Sequence, residues 1–426
     1  MASEISPLVK NSTTPAIQDH PRTPREIKAC TSTNNKIINQ IFQVTPERGF
    51  LPSSDLPLRL PHPEFTAWEE TLLDLPKLLL AYDHGEKLRE KIKNLPPFPS
   101  QLLLSEGGNP HDTWRAMLVL TFMAHAYVWG APSPPRVLPR VLAVPLCEIS
   151  ASLDMPPVLT YAGYSLLNWR VLDESGGIEL GNIVSLNNFY GGLDDEWFRL
   201  VHVEIEAKAA KGLKGIEDAV EGVEQEDVDK VHSSLKEMNH VLKEMQQTLS
   251  RLGEKCDPHI YYHRVRKFLS GWRGNPAVPN GMIYEGVWDE PKFFYGETGA
   301  QSSILPAFDA ALGVTHPSGA LSDYLQVMRL HMPLPHRLYI QQIENGPSIR
   351  SFVTDHISDL GECYDACLTE LYGFRSLHMK HASAYITQPG KKALKDEKGT
   401  GGTDFIPYLL QNATTTKEHL LNAHEG

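Results

Sequence analysis

The feature that most constrains the fold is an apolar stripe at helical spacing near the C-terminus. Tyr364, Leu368, Leu371, Phe374, His378, Ala382 and Tyr385 recur every three or four residues and so share one broad face of a single helix. A face this wide needs a second apolar surface to cover it. It contains one anomaly, His378, for which two readings are open. A histidine here is either a neutral core imidazole satisfied by hydrogen bonds or an axial ligand to a haem iron. The second role needs a neutral imidazole on a rigid helix, flanked by apolar residues that can lie against a porphyrin. Arg375, one turn earlier, is placed to reach a carboxylate or a haem propionate. Composition alone favours the core imidazole.

The rest of the chain repeats the helical period. Residues 111–130 read as a helix that is apolar nearly all round, hence central to its domain. Residues 65–80 form a helix broken at Pro76, and 137–169 hold two shorter helices around Met155-Pro156-Pro157. Between 172 and 195 the composition shifts to Gly, Asn, Asp and Ser, the signature of a linker. Helical periodicity restarts over 196–210 and again over 215–254, the latter as a helical hairpin. Further helices follow over 259–269, 301–313, 321–332 and 335–342, the second of these carrying a buried acid, Asp309. No strand pattern and no repeat is visible. The expected fold is all-α, with a disordered arm over 1–48, a small helical domain over 49–171, a linker over 172–195 and a large helical domain over 196–426.

Composition excludes several function classes. Forty basic against 52 acidic residues leave a net charge of −12 without a basic stripe, which argues against a nucleic-acid or anionic-membrane partner. No run of about 18 apolar residues exists to span a bilayer. Five cysteines, Cys30, Cys147, Cys256, Cys363 and Cys367, lack a zinc-type repeat and suit a reducing, cytoplasmic setting. His259 and His263 are spaced as a metal pair but lack a third ligand. The absence of an additional apolar stripe points to a monomer.

Five motifs occur in one order: Ser270-Gly-Trp-Arg-Gly-Asn-Pro276, Gly299-Ala-Gln-Ser-Ser303, Met332-Pro-Leu-Pro-His-Arg337, Arg375-Ser-Leu-His378 and Gly399-Thr-Gly-Gly-Thr-Asp404. In these, and from about residue 60 to 421, the chain resembles the indoleamine 2,3-dioxygenase family, its long N-terminal arm being similar to fungal members. The resemblance implies a large haem-binding domain capped by the smaller one. It implies haem b (iron protoporphyrin IX) as cofactor and an electron donor that keeps the iron ferrous. The implied reaction inserts O2 across the indole C2–C3 bond of L-tryptophan to give N-formyl-L-kynurenine. That is the first step of the kynurenine pathway toward NAD biosynthesis.

Carried over by position, His378 matches the haem iron's axial ligand, and Arg375 and Asp309 match a pair on the same side. Arg266 matches the arginine that grips the substrate carboxylate, as a planar guanidinium can. Tyr261 and Tyr262 match pocket aromatics that are phenylalanine in mammalian members, Tyr161 matches a pocket tyrosine, and Thr400 matches a threonine of a mobile loop. No side chain is implied as acid or base. Two departures bear on affinity: Leu200 falls where mammalian members have a distal serine, and Tyr164 replaces a smaller residue, which narrows the expected pocket. The alternatives are a member with low tryptophan affinity that acts on another indole, and a non-catalytic O2-binding or haem-sensing protein.

Overall fold

The computed structural model describes residues 39–81, 85–393 and 405–421. Thr400 and the glycine loop around it therefore lie outside the described residues, as does the arm before Asn39. The fold is all-α. The helices that organise it are α1 (Thr66–Leu73), α2 (Pro110–Trp129), α3 (Arg140–Leu153), α4 (Leu193–Glu224), α5 (Val228–Ser250), α6 (Ile304–Ala311), α7 (Ile357–Ala382) and α8 (Phe405–Glu418). Among the described residues no helix is long and apolar enough to cross a membrane.

Two apolar cores result. The first surrounds α2, whose residues from Thr113 to Trp129 are all buried. The all-round apolar pattern of that segment is thus realised as a central helix, started by the Asn109 side chain accepting from the His111 N–H. Segment 268–294 returns to this core: Phe189 stacks between Phe122 and Phe268 with ring centroids 4.5 Å apart on each side. His125 is held at both nitrogens, Nδ1 donating to Phe268 O at 2.6 Å and Nε2 accepting from the Leu159 N–H at 3.0 Å. The second core joins α4, α5, α6 and α7. There α4 runs unbroken through Gly212 and Gly215, where the sequence pattern suggests a break. The glycines serve packing instead, since a β-carbon on Gly212 would stand 2.8 Å from Phe308 Cζ and 3.0 Å from Val241 Cγ1. The hairpin turn falls later, between α4 and α5.

Two further sequence expectations change. Residues 39–48, expected in the disordered arm, include part of the first core: Ile41 and Phe42 are buried and Phe42 meets the Trp114 ring edge-on at 4.8 Å. A short helix, Gln388–Ala393, follows the C-terminal end of α7 after one π-helical turn. Among the described residues there are four very short strands: β1 (Val137–Leu138) pairs in parallel with β4 (Ile283–Tyr284), and β2 (Trp169–Val171) pairs antiparallel with β3 (Ile183–Ser185). At two or three residues each they are too short to leave an alternating pattern. The second pair lies within and beside the expected linker. Buried Ile183 and Phe189 anchor it, and Asn168 and Asn187 exchange two hydrogen bonds at 2.8 Å.

Glu69 on α1 takes Arg115 on α2 in a two-pronged grip (3.0 and 2.6 Å), and its Oε1 also accepts from the Leu60 N–H at 2.9 Å. Both side chains are 3% exposed. Removing one partner strands a buried charge. Glu69→Leu is therefore expected to cost about 3–5 kcal/mol in denaturant unfolding, and Glu69→Leu with Arg115→Met to recover much of that loss.

Candidate functional site

The second core opens around a cavity of about 650 Å³, within the range of small-molecule and cofactor sites. Its wall is built from α4 (Phe198, His202), segment 297–302, α6 (Asp309, Ala310), α7 (Arg375, His378, His381, Ala382) and α8 (Phe405, Leu409). The chain also contains π-helical turns at Ala162–Leu166, Tyr261–Val265 and Ser383–Thr387. A π turn inserts one residue into a helical ladder and re-aims the side chains around it, and such turns cluster at functional sites. Here two of them deliver Tyr261 and Tyr385 to the wall, with ring centroids 5.7 Å apart. Phe198 packs on Tyr261 at 4.5 Å and on His202 at 4.7 Å, completing an aromatic face.

His378 lines this cavity and is partly accessible from it. Unlike His125, its ring makes no hydrogen bond with the described residues. Burial first, then the neighbouring His202 and His381, lower its pKa to about 4, so the imidazole is neutral. Its Nε2 faces Gly299, where a β-carbon would stand 4.0 Å away. The glycine thus leaves open the space beside a nitrogen suited to ligation.

Arg375 and Asp309, the pair the resemblance implies, are in contact. Arg375 Nη2 donates to Asp309 Oδ2 at 2.6 Å, and its Nη1 donates to Thr416 Oγ1. His316 Nε2 approaches the same Asp309 oxygen at 3.3 Å. Burial alone would raise the Asp309 carboxyl, but Arg375 and His316 outweigh it and hold its pKa below the ordinary value. The second oxygen, Oδ1, is buried without a partner among the described residues.

The other expected residues divide. Tyr261 is on the wall. Tyr161 lies one layer behind it: its hydroxyl donates to Glu206 Oε1 at 2.9 Å, which also accepts from Ser302 on the wall at 2.8 Å. Burial raises the Glu206 pKa to about 7, the two hydroxyls opposing. Arg266 begins the helical turn after Tyr261–Val265 and lies over the Tyr262 ring at 5.4 Å. Neither of these two is among the residues lining the cavity.

Both expected departures are corrected. Leu200 is 6% exposed and packs in the first core, on the far side of α4 from the cavity. Two residues turn a helix by about 200°, so Phe198 and His202, one turn apart, take the cavity face. Tyr164 also does not line the cavity and so does not narrow it. Its hydroxyl donates to Asp195 at 2.7 Å and Arg199 covers its ring at 4.3 Å. His259 and His263 stack at 4.4 Å, and no group of three metal-ligating side chains exists among the described residues.

Sequence reasoning misses polar wall residues, among them His202, His381 and Glu297. His202 Nδ1 donates to Phe198 O at 2.7 Å, which leaves its Nε2 as an acceptor. His381 Nε2 is buried without a described partner. Glu297 is 5% exposed, and burial, partly opposed by Arg199, raises its pKa to about 8. Their signals are weak, since lone polar residues within helices or loops carry no pattern of their own.

The chain matches the family model described as Indoleamine 2,3-dioxygenase over residues 39–419. It is 35% identical over 391 residues to indoleamine 2,3-dioxygenase 1 of Rattus norvegicus, covering 86% of this chain and 94% of that protein. It is 31% identical to indoleamine 2,3-dioxygenase nanC of Aspergillus nanangensis (90% and 96% covered) and 31% identical to indoleamine 2,3-dioxygenase of Saccharomyces cerevisiae (87% and 91%). Motif order, a helical fold around a large cavity, and similarity across nearly the whole described length agree: the chain belongs to the indoleamine 2,3-dioxygenase family and is an oxidoreductase of the dioxygenase class.

Proposed function

We propose that this protein cleaves the indole C2–C3 bond of L-tryptophan with O2, giving N-formyl-L-kynurenine and opening tryptophan catabolism toward NAD biosynthesis. The observation that carries the reading is His378, a neutral imidazole with no described hydrogen-bond partner on the wall of a cofactor-sized cavity. A buried imidazole left without partners costs free energy unless something else takes its lone pair.

The residues present fit haem b. His378 would ligate its iron, with space kept beside Nε2 by Gly299, and apolar Ala382, Ile386 and Leu409 would flank the macrocycle. When bound, the haem supplies the iron at which O2 is held and activated, and an electron donor keeps that iron ferrous. Arg375 and Asp309, locked together, fix the rotation of α7 about its axis and hence the direction of the His378 ring. The expected small N-terminal domain would cap this larger haem-holding one.

The chain's own contribution is then positioning. Arg266 would hold the substrate carboxylate through its planar fork, and Thr400 would belong to the loop that covers the bound amino acid. Phe198 and Tyr261 offer flat apolar surface for the indole and exclude water from the reacting edge. No side chain is needed to move a proton. The four described cysteines are unpaired, which suits a cytoplasmic enzyme.

Three outcomes test this. His378→Ala is expected to lose the haem absorption bands of the purified protein while its far-ultraviolet circular dichroism stays helical. An unchanged visible spectrum would remove His378 as ligand. Arg266→Ala is expected to raise KM for L-tryptophan by about tenfold to a hundredfold, since a lost charge-assisted contact is worth about 1.5–3 kcal/mol, with the haem spectrum retained. Asp309→Asn leaves the Arg375 charge in a buried site without its carboxylate, and should lower unfolding free energy by about 3 kcal/mol and speed haem loss to an apoprotein acceptor.

A further inference from the structure

Glu297 is an acidic side chain of the cavity wall whose backbone is tied to the helical turn that carries Arg266. Its N–H donates to Leu269 O at 2.9 Å, three residues beyond Arg266. Next to it, Gly296 passes Gly271 so closely that a β-carbon on Gly296 would lie 2.2 Å from Gly271 N and 2.2 Å from Leu269 O. No larger residue fits either position. Gln301 closes the arrangement, donating to Gly296 O at 2.8 Å and accepting from the Tyr161 N–H at 2.9 Å. Arg266 and Glu297 are therefore carried by two segments that cannot slide past each other. Tyr261, on the wall, lies near both: burial chiefly disfavours its ionisation, Glu297 adds to that and Arg266 opposes it.

Glu297 is 5% exposed, on a wall it shares with Phe198 and Tyr261. A carboxyl group on the aromatic wall and a guanidinium on the segment tied to it suit a ligand that carries an ammonium and a carboxylate on a single carbon. We propose that Glu297 is a specificity-determining residue: it takes the α-ammonium group of an amino-acid substrate while Arg266 takes the α-carboxylate, so that the site selects zwitterions over acids without the amine. This rests on the tryptophan reading above and adds to it the group that reads the amine. Burial holds Glu297 largely protonated near neutral pH before a ligand arrives, and the arriving ammonium stabilises the ionised form.

The test is a set of dissociation constants, measured by haem spectral titration of the reduced protein without O2, for L-tryptophan, indole-3-propionate and tryptamine. The wild-type protein is expected to bind L-tryptophan at least tenfold more tightly than indole-3-propionate. Glu297→Gln and Glu297→Ala are expected to weaken L-tryptophan about tenfold and leave indole-3-propionate within about twofold, collapsing the preference. Arg266→Ala should weaken both acids and spare tryptamine. Glu297→Gln keeps the side-chain volume, so it decides the matter if Glu297→Ala does not fold. If the wild-type protein prefers L-tryptophan and both Glu297 variants keep the same ratio, the amine is read elsewhere and the inference fails while the tryptophan reading stands. If the haem-loaded wild-type protein binds none of the three, the tryptophan reading itself fails and the role of Glu297 falls with it.

Discussion

The buried contact between Arg375 and Asp309 is the constraint on which the site depends. It ties α7 to α6, and through Thr416 the same guanidinium reaches α8. Three helices that wall the cavity are thereby fixed in rotation and not only in distance. Apolar packing alone does not do this, because the stripe on α7 is broad enough to accept small rotations at little cost. A buried ion pair is poor evidence of net stability, since desolvation offsets much of the attraction. Its value lies in specifying one arrangement, and the arrangement it specifies places His378 on the cavity wall one turn from Arg375.

The histidines show how partner accounting separates structure from function. His125 is deeper than His378 and equally neutral, with a pKa of about 4. Yet both its nitrogens are used, one donating to Phe268 O and one accepting from Leu159 N. It ties segment 268–294 to α2 and has nothing left to offer a ligand. His378 has the same protonation state and no described partner. A shifted pKa therefore does not distinguish the two, because desolvation produces it in both. Hydrogen-bond satisfaction does.

The sequence is most legible where one helix face has one duty. The α2 pattern and the α7 stripe follow from periodicity, and the Arg375–Asp309 meeting is what the family resemblance implies. It is least legible where one residue type has two uses. Gly212 and Gly215 read as a helix break but serve the close passage of α4 past α5 and α6. Asn168 reads as the end of a helical segment and Asn187 as linker, but together they brace the β2–β3 pair. Placing Leu200 at the distal-serine position misses the cavity face of α4 by two positions. Along this stretch Leu200 and Val203 face the first core, while Val201 and Ile205 face the second. On a helix buried on both sides, hydrophobicity carries no phase, and only Phe198 and His202 mark the third, cavity-facing side. The π turns are also invisible, since one inserted residue in a helical ladder leaves no compositional trace.

The two cores divide the labour of the site. His378, Arg375 and Asp309 stand on helices of the second core. Arg266 and Glu297 stand where the chain passes between cores: Val265 packs in the second and Phe268 in the first, while Phe294 packs in the first and Ile304 in the second. The segment between these crossings runs through the first core and returns, so its two ends are brought side by side, with Glu297 on the cavity wall, by packing that has no part in holding a cofactor. Gly271 against Gly296 closes that loop at its neck. Groups that would read the substrate are thus set by one core and the group that would hold the iron by the other. Their separation is governed by the polar links across the seam, Tyr161 N to Gln301, Gln301 to Gly296 O, and Tyr161 and Ser302 to Glu206. The first three of those links are buried and the Ser302 link partly so, which limits exchange with water. The register between the two halves of the site is therefore held by hydrogen bonds that face little competition.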